Sequence, residues 1–253
     1  MIWIVGGTTE AILLGKHLSD VEHIITYGTE EGVERGVGNS VYRRMDEIEM
    51  EQFIDDYSIK LILDVTHPFA KNVTENVKNA AKNKNVKYLR YERKTTHMPD
   101  NSIVVASFDE CYEVLKGLHG TVLVTTGSNN VKDFEVVKGE NRYVYRILPT
   151  TESVKKVRDL GVGMDDIIAM MGPFTKELNI AFLKFYNCKY MVLKDSGDVG
   201  GTEEKMKACK EIGVVPIVIG RNTEGYLTDW NEFIAEINLH ENNVLRRIYE
   251  KDK

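Results

Sequence analysis

The first residues that could do chemistry are two glycines that follow a short apolar strand. The chain there reads Gly6-Gly7-Thr8-Thr9, and a helix is predicted to begin at once. A helix N-terminus offers unpaired N–H groups and the positive end of the helix dipole, and glycine lets an anion approach the backbone closely. The turn therefore predicts phosphate binding by a nucleotide cofactor. A tight turn capped by Thr8 or Thr9 is the alternative, because Ala11 replaces the third glycine of the full dinucleotide fingerprint.

A second candidate is a histidine in the loop that follows a later strand. Residues Asp64–Ala70 read Asp-Val-Thr-His-Pro-Phe-Ala. The proline disfavours helical geometry at His67, and imidazole titrates near neutral pH. His67 is therefore a candidate proton donor, and Thr66 beside it is a candidate cofactor ligand. A histidine that only caps a turn would give the same sequence.

Two loops in the second half of the chain also combine glycine with polar side chains. The first, residues 125–130, offers hydroxyl groups, amides and a glycine to an anion, which makes Thr126, Gly127 and Ser128 candidate cofactor ligands. A plain loop with a helix cap explains these residues nearly as well.

The second of these loops, Lys194–Lys205, leads from a predicted strand into a predicted helix. Its glycines expose backbone donors, and Thr202 is expected to cap the helix. Asp195 or Ser196 could orient a water molecule, so both are alternatives to His67 as the source of a proton.

The composition restricts the class of protein. The chain has 253 residues, a formal net charge of -6 and a pI near 5.6, which argues against nucleic acid or an anionic membrane as a partner. Three separated cysteines predict neither a disulfide framework nor a structural zinc site, and are typical of a reducing cytosol. No window approaches the roughly 18 apolar residues of a membrane span, so we expect a soluble, cytoplasmic protein. The oligomeric state is not readable.

These residues must be positioned by an α/β fold, because short apolar runs alternate with amphipathic stretches throughout. Helices are expected to start near Thr9, Glu47, Ala70 and Phe108. The predicted strands are Trp3–Val5, His23–Tyr27, Ser40–Arg43, Leu61–Val65, Lys87–Arg90 and Ile103–Ala106, followed by Thr121–Thr125, Tyr143–Ile147, Ile167–Met170, Tyr190–Leu193 and Val215–Ile219.

The two series of strands predict two Rossmann-like domains with mostly parallel sheets flanked by helices. The predicted boundary is the glycine-bracketed turn Gly117–Gly120, which gives domains of residues 1–118 and 119–253. Ligands of parallel sheets bind at the carboxyl ends of the strands, so we expect a cofactor and substrate cleft between the domains.

Seven segments, in order, resemble the precorrin-6A reductases of cobalamin biosynthesis, and the resemblance spans residues 1 to about 221. These segments are Gly6–Ala11, Asp64–Ala70, Tyr88–Arg93, Thr125–Ser128, Arg146–Pro149, Met171–Phe174, and Lys194–Gly197 with Gly200–Glu203. The resemblance implies an NAD(P)H-dependent reductase that converts precorrin-6A, or its cobalt form, to precorrin-6B. It also implies two α/β domains that hold the cofactor between them.

This activity determines the ligand sets that we expect. The cofactor supplies a hydride, and a side chain or water must supply the proton. The expected cofactor ligands are Gly6, Gly7, Thr8, Thr9, Glu10, Thr29, Thr66, Thr126, Gly127 and Ser128. The carboxylates of the corrinoid substrate are expected to contact Arg90, Arg146, Lys194, Gly200, Gly201, Thr202 and Lys205, although each basic residue could instead be an exposed side chain.

The choice between NADPH and NADH stays open. The second strand ends at Tyr27-Gly-Thr29 and is followed by Glu30 and Glu31. Thr29 could accept the extra phosphate of NADPH, whereas Glu30 could exclude it.

Two other classes of function remain as alternatives. Tyr112 and Lys116 have the Tyr-x-x-x-Lys spacing of short-chain dehydrogenases, which places both side chains on one helix face. The other alternative is a non-catalytic nucleotide-sensing module, although it would not need the polar loops of the second half.

Overall fold

The structure is a computed structural model that describes residues 1–96, 98–197, 201–221 and 226–251, with side chains to residue 240. It divides into two compact units. Unit 1 comprises Met1–Lys94 and Thr223–Lys253, and unit 2 comprises Thr95–Asn222. Each unit contains one sheet in which every described strand pairing is parallel.

The elements follow one another as alternating strands and helices. The first part of unit 1 contains β1 (Ile2–Val5), α1 (Thr9–His17), β2 (His23–Tyr27), α2 (Glu30–Glu34), β3 (Ser40–Tyr42), α3 (Glu47–Asp56), β4 (Leu61–Asp64), α4 (Lys71–Asn83) and β5 (Lys87–Arg90). Unit 2 contains β6 (Ile103–Val105), α5 (Phe108–Lys116), β7 (Thr121–Val124), α6 (Val131–Val137), β8 (Arg142–Ile147), α7 (Thr151–Asp159), β9 (Ile167–Ala169), α8 (Lys176–Phe185), β10 (Cys188–Lys194), α9 (Thr202–Ile212) and β11 (Val215–Ile219). Helix α10 (Trp230–Lys251) then completes unit 1.

The sheet of unit 1 has the strand order β3-β2-β1-β4-β5 and is covered on both faces. Alternate residues of a strand point to opposite faces. Accordingly, Ile4 of β1 packs in one core cluster with residues of α1 and α10, while Trp3 packs in another with Phe53 of α3 and Val77 of α4. Burial on both faces explains why the strands read as continuous apolar runs.

The sheet of unit 2 has the strand order β6-β11-β10-β7-β8-β9. Leu123, Val144 and Leu193 lie on one face of it, where they pack with Leu183 of α8 and Met206 of α9. In both units the loops at the carboxyl ends of the strands carry the polar residues noted in the sequence.

The fold class predicted from the sequence is confirmed, but the predicted boundary is not where the structure divides. Strand β6, assigned above to residues 1–118, pairs with β11 in the sheet of unit 2. Helix α10, assigned to the second domain, instead packs Phe233 and Ile237 into the core of unit 1. A turn between two elements does not reveal which sheet the next strand joins, because the strand that it pairs with can lie far away in the sequence.

Within the described residues, no helix combines the length and the apolar character that crossing a membrane requires.

Candidate cofactor and substrate sites

Unit 1 has a topological switch point between β1 and β4, which are neighbours in the sheet but not in the chain. Loops that leave two such strands diverge and form a crevice for ligands. The Thr8 hydroxyl donates a hydrogen bond to the carbonyl of Val65 over 2.6 Å, so it joins the two loops at this point. The predicted cofactor residues at positions 6–9 and Thr66 therefore lie at one edge of one sheet.

The glycine turn itself requires glycine at both positions. A Cβ atom on Gly6 would lie 3.0 Å from the carbonyl oxygen of Thr26, closer than side chains normally pack. Gly7 has φ +120°, which L-residues rarely adopt, and no atom of the part of the chain that the structure describes lies within 4 Å of the position that its Cβ would take. The capping alternative is not observed, since Thr8 makes no side-chain cap at the start of α1. The turn thus leaves room for a ligand over an uncapped helix N-terminus.

Glu10, in the first turn of α1, forms a buried ion pair with Arg93. Both nitrogens of the bidentate contact lie 2.6 Å from carboxylate oxygens. Burial raises the pKa of Glu10, but the hydrogen bond and the charge of Arg93 outweigh that effect, so the pKa is lowered overall. Glu10 therefore fastens the helix N-terminus to the segment after β5, with its negative charge balanced by Arg93.

A network around the buried carboxylate of Asp64 fixes the loop after β4. Asp64 Oδ1 accepts hydrogen bonds from the backbone N–H and hydroxyl of Thr66, over 3.0 and 2.8 Å. Asp64 Oδ2 lies 2.7 Å from the Tyr88 hydroxyl and 2.8 Å from Arg90 Nη1. Arg90, predicted as a substrate ligand, and Thr66, predicted as a cofactor ligand, are thus engaged inside unit 1.

The loop held by this network leads to His67. The Nδ1 atom of His67 accepts a hydrogen bond from the backbone N–H of Phe69 over 3.2 Å. The turn-capping interaction considered for this residue is therefore present. With Nδ1 as acceptor, neutral His67 carries its proton on Nε2. Its role as a proton donor stays a prediction.

The carboxyl end of β2 shows one residue that the sequence analysis missed. Thr29 Oγ1 accepts a hydrogen bond from Gly32 N–H, so this predicted phosphate ligand caps α2. Arg44 donates from Nε to the carbonyl of Gly28 over 2.7 Å. The parallel pairing of β2 with β3 brings this arginine to the strand end where the ribose of a dinucleotide binds. A basic residue directly after the third strand was the available signal.

Unit 2 has its own switch point, between β7 and β10. The loop after β7 contains Thr126, whose buried hydroxyl has no hydrogen-bond partner among the described residues, and Gly127, with φ +86° and no described atom within 4 Å of the position that its Cβ would take. The hydroxyl of Ser128 donates to Ser153 Oγ over 3.3 Å. Thr126 and Gly127 thus keep polar groups available for a ligand, while Ser128 is engaged internally.

The loop after β10 is held by Asp195. Asp195 Oδ1 accepts from the N–H groups of Thr96 and Gly197, over 3.4 and 3.2 Å, and Oδ2 lies 3.6 Å from Arg221 Nε. A carboxylate with these donors organises the loop.

The prediction that Thr202 caps helix α9 is wrong. Gly201 is the N-cap of α9 and makes no side-chain cap, while Thr202 Oγ1 accepts from the N–H of Ser196 over 3.0 Å and donates to the carbonyl of Lys194. Thr202 is therefore one residue inside the helix, where its hydroxyl closes the loop. Gly200, a predicted substrate ligand, lies outside the described residues.

Three predicted substrate ligands form a cluster of positive charge in unit 2. Arg146 lies in the buried part of β8, Lys194 ends β10, and Lys205 lies in the first turn of α9. Burial, together with the charges of Arg146 and Lys194, lowers the pKa of Lys205 to about 7. Because the charges of Arg146 and Lys194 contribute to the lowered pKa of Lys205, the three cations lie near one another, and this end of the sheet is suited to an anion.

The Tyr-x-x-x-Lys pair is not arranged for catalysis. Burial raises the pKa of Tyr112, whose ring packs against Phe134 at 5.0 Å between centroids. Lys116 instead pairs with Glu113 over 2.6 Å. The geometry gives no support to a short-chain dehydrogenase.

Two parallel sheets, each with polar loops at a switch point, define a Rossmann-like α/β protein. A solved structure, CobK precorrin-6A reductase, shares this fold, with a TM-score of 0.74 at 20% identity over 90% of both chains. The model of the precorrin-6x reductase family CbiJ/CobK matches residues 1–238. The chain belongs to this family, as the resemblance in its sequence implied.

Three relatives of more than 30% identity are all cobalt-precorrin-6A reductases. Cobalt-precorrin-6A reductase of Priestia megaterium is 32% identical over 242 residues, which is 92% of this chain and 95% of the relative. Cobalt-precorrin-6A reductase of Methanothermobacter thermautotrophicus is 34% identical over 235 residues, which is 88% of this chain and 78% of the relative. Membership of a reductase family favours an enzyme over a nucleotide-sensing module.

Proposed function

We propose that this protein reduces one carbon–carbon double bond of cobalt-precorrin-6A with NADPH, giving cobalt-precorrin-6B. The observation that carries the proposal is the family match over residues 1–238, which includes the glycine turn and the cationic cluster. The cobalt form is favoured because three relatives above 30% identity are named for it, whereas CobK, named for precorrin-6A, is 20% identical.

The residues of unit 1 fit a dinucleotide. The turn at Gly6 and Gly7 would bind the pyrophosphate through backbone N–H groups, and the neutralised Glu10–Arg93 pair would hold the helix N-terminus in place. The position of Arg44 beside the Gly28 carbonyl, after β2, supports NADPH over NADH, because a basic residue near this strand end can accept a 2′-phosphate.

The proposed reaction adds a hydride and a proton across one bond. The nicotinamide supplies the hydride. His67 is our first candidate for the proton, which it would deliver from Nε2. The carboxylate of Asp195 already accepts hydrogen bonds from backbone N–H groups, which supports a role in positioning rather than in proton transfer. The second candidate for the proton donor is therefore a water molecule near Ser196. Arg146, Lys194 and Lys205 would bind carboxylates of the macrocycle.

An anaerobic assay with NADPH deuterated at the transferable C4 position tests the proposal. We expect one NADPH oxidised per corrinoid and a product that carries one deuterium and one solvent proton. Failure to oxidise NADPH or NADH with either corrinoid would exclude the proposed function. Equal rates with NADH, or with metal-free precorrin-6A, would correct the cofactor or the substrate alone.

A further inference from the structure

The buried arginines of this protein differ in their partners. Arg90 lies 2.8 Å from a carboxylate oxygen of Asp64, and Arg93 lies 2.6 Å from one of Glu10. Arg146 is as buried as Arg90, with 5% of its surface exposed, but it forms no ion pair with any described carboxylate. Because an isolated buried charge is costly, arginines in a protein interior are normally paired. The unpaired charge of Arg146 therefore points to a ligand as its partner.

The guanidinium of Arg146 stays charged and keeps donors available. Burial lowers the pKa of Arg146 to about 10, which still leaves the group protonated at neutral pH. Its described hydrogen bond runs from Nη1 to Asn179 Oδ1 over 2.8 Å. None of its nitrogens is an unpaired and fully buried atom, so the N–H groups that Asn179 does not use reach the surface of unit 2. Two such groups of one guanidinium can bind both oxygens of a carboxylate.

Asn179 of α8 holds this guanidinium in one orientation and is itself held. Its side chain is fully buried. The Nδ2 atom donates to the carbonyl of Thr175 over 2.8 Å, so Oδ1 is the atom that faces Arg146. An aspartate would have nearly the same shape but would also supply the negative charge that Arg146 lacks. The asparagine therefore fixes the guanidinium without neutralising it.

Phe174 supports the same guanidinium from the loop that follows β9, the strand paired with β8 at Arg146. The distance between Arg146 Cζ and the ring centroid is 4.1 Å, a cation–π contact. The ring rests against Gly172, where a Cβ atom would lie only 2.9 Å from Cε2 of Phe174. A planar donor that is held by a hydrogen bond and a ring loses little freedom when it binds an anion.

We propose that Asn179 and Phe174 are positioning residues, which orient Arg146 to bind one carboxylate of the substrate, and that the neutral side chain at position 179 keeps the charge of Arg146 available for it. This inference rests on the proposed function for the identity of the ligand, a peripheral carboxylate of the corrinoid. Both residues act through Arg146, so they should affect the binding of the corrinoid and leave the binding of NADPH unchanged.

NMR of the whole protein with labelled arginine tests the site without the reaction. Acetate is the probe, chloride at equal ionic strength is the reference, and Arg146→Lys identifies the Nε–H signal of Arg146. We expect acetate to move this signal along a saturable curve. The signal of Arg93 should stay in place, because Arg93 is already paired with Glu10. A signal of Arg146 that acetate leaves unchanged would overturn the inference.

Asn179→Asp places a carboxylate of the protein where it competes with the ligand. The variant should abolish the acetate response of Arg146. It should also raise the KM for cobalt-precorrin-6A about tenfold or more, with kcat and the Kd for NADPH little changed. An unchanged KM in this variant would overturn the role of the neutral side chain.

Asn141→Asp is the matched control for the change of asparagine to aspartate. Asn141 also accepts from one donor, the N–H of Gly120, and donates to one carbonyl, that of Leu118. These contacts lie at the amino end of β7, whereas Arg146 lies near the carboxyl end of β8. The KM for the corrinoid should therefore stay at the wild-type value in Asn141→Asp.

Phe174→Leu provides a second arm that puts no new charge into the core. We expect the KM for the corrinoid to rise about threefold, as is typical for the loss of a cation–π contact at a partly exposed site. Phe185→Leu is the control, because Phe185 is 80% exposed, and it should leave the KM unchanged. Equal KM values in the two variants would overturn the role of Phe174.

The two kinds of measurement separate this site from the proposed function. A saturable acetate response that is lost in Asn179→Asp, in a protein that reduces no corrinoid, would support the carboxylate site and overturn the function. Corrinoid reduction without an acetate response would overturn the site and leave the function in place.

Discussion

His67 has two separable properties, a hydrogen-bond acceptor at Nδ1 and a ring that can carry a proton. The first is occupied by the N–H of Phe69. Asparagine can accept the same bond from a short side chain, but it cannot titrate. The variants His67→Asn and His67→Ala therefore distinguish a turn cap from a proton donor.

We expect both variants to lower kcat about 100-fold or more, because a positioned acid contributes at least that much to proton transfer. The imidazolium carries a proton on both ring nitrogens, so as an acid His67 would give up the bond from Phe69, and wild-type kcat should decline as the pH rises and this form is lost. The control is His119→Ala, an exposed histidine in unit 2, which should keep full activity. Normal turnover in His67→Asn with loss in His67→Ala would leave His67 only a turn cap, and water near Ser196 would become the leading proton donor.

Arg44 should determine the preference for NADPH. Its replacement by alanine removes a charge beside the Gly28 carbonyl, where the 2′-phosphate is expected. We expect Arg44→Ala to raise the KM for NADPH about tenfold or more and to change the KM for NADH little.

A matched control for Arg44 is Arg158→Ala in unit 2. Arg158 also donates to a backbone carbonyl, that of Val162, and is also exposed. It should leave both KM values unchanged. If Arg44→Ala raised the KM for NADH as much as the KM for NADPH, Arg44 would not be the residue that binds the 2′-phosphate.

At the scale of elements, the junction of β1 and α1 is the part most sensitive to substitution. Gly7→Ala strains a backbone at φ +120° and places a methyl group where the pyrophosphate would lie. We expect the dissociation constant for NADPH, measured by fluorescence titration, to rise more than tenfold.

Gly161→Ala is the control for backbone strain alone, because Gly161 has φ +85° and no described atom lies within 4 Å of the position that its Cβ would take. Both variants should lose a similar free energy of unfolding, roughly 1 kcal/mol. Only Gly7→Ala should lose cofactor affinity. If the two variants bound NADPH alike, the pyrophosphate would have to lie elsewhere.

The strands could be predicted from the sequence because burial on both faces makes each a continuous apolar run. Three of them, β2, β5 and β11, have the predicted bounds. The five-residue helix α2 could not be predicted, since it buries no residue and so has no apolar periodicity.

The site residues that could be predicted from the sequence are those recognised by their type and by their position in a loop or near the end of a strand. The glycine turn and the cations Arg146, Lys194 and Lys205 could be selected by type and position. Arg90 looked like a ligand because its partner Asp64 comes from a neighbouring strand. Phe174 and Asn179 carried no local signal, because each acts on a residue from another element, and the one signal for Arg44 was its position directly after β3.

At the scale of the whole molecule, unit 1 is discontinuous in sequence, because α10 contributes to its core. Phe233 and Ile237 of α10 are fully buried beside β1 and α1, whereas the described core of unit 2 is formed within residues 95–222. Losing one such phenylalanine side chain typically costs about 3–5 kcal/mol, a large part of the stability of a domain.

We therefore expect a fragment of residues 95–222 to fold alone and a fragment of residues 1–94 not to do so. Circular dichroism during heating should show a cooperative transition for the fragment of residues 95–222 only. Addition of a peptide of residues 223–253 to the fragment of residues 1–94 should restore a cooperative transition. A cooperative transition of residues 1–94 without the peptide would contradict this expectation. Phe233→Ala in the full chain should weaken the transition of unit 1.

The late position of α10 also has a consequence during protein synthesis. A ribosome makes the strands of unit 1 first and then the whole of unit 2 before it makes the helix that covers Ile4 and Leu14. The nascent chain therefore exposes an apolar sheet face through most of translation, a surface that chaperones bind. Unit 2 should become protease-resistant on stalled ribosomes before unit 1, although unit 1 begins the chain.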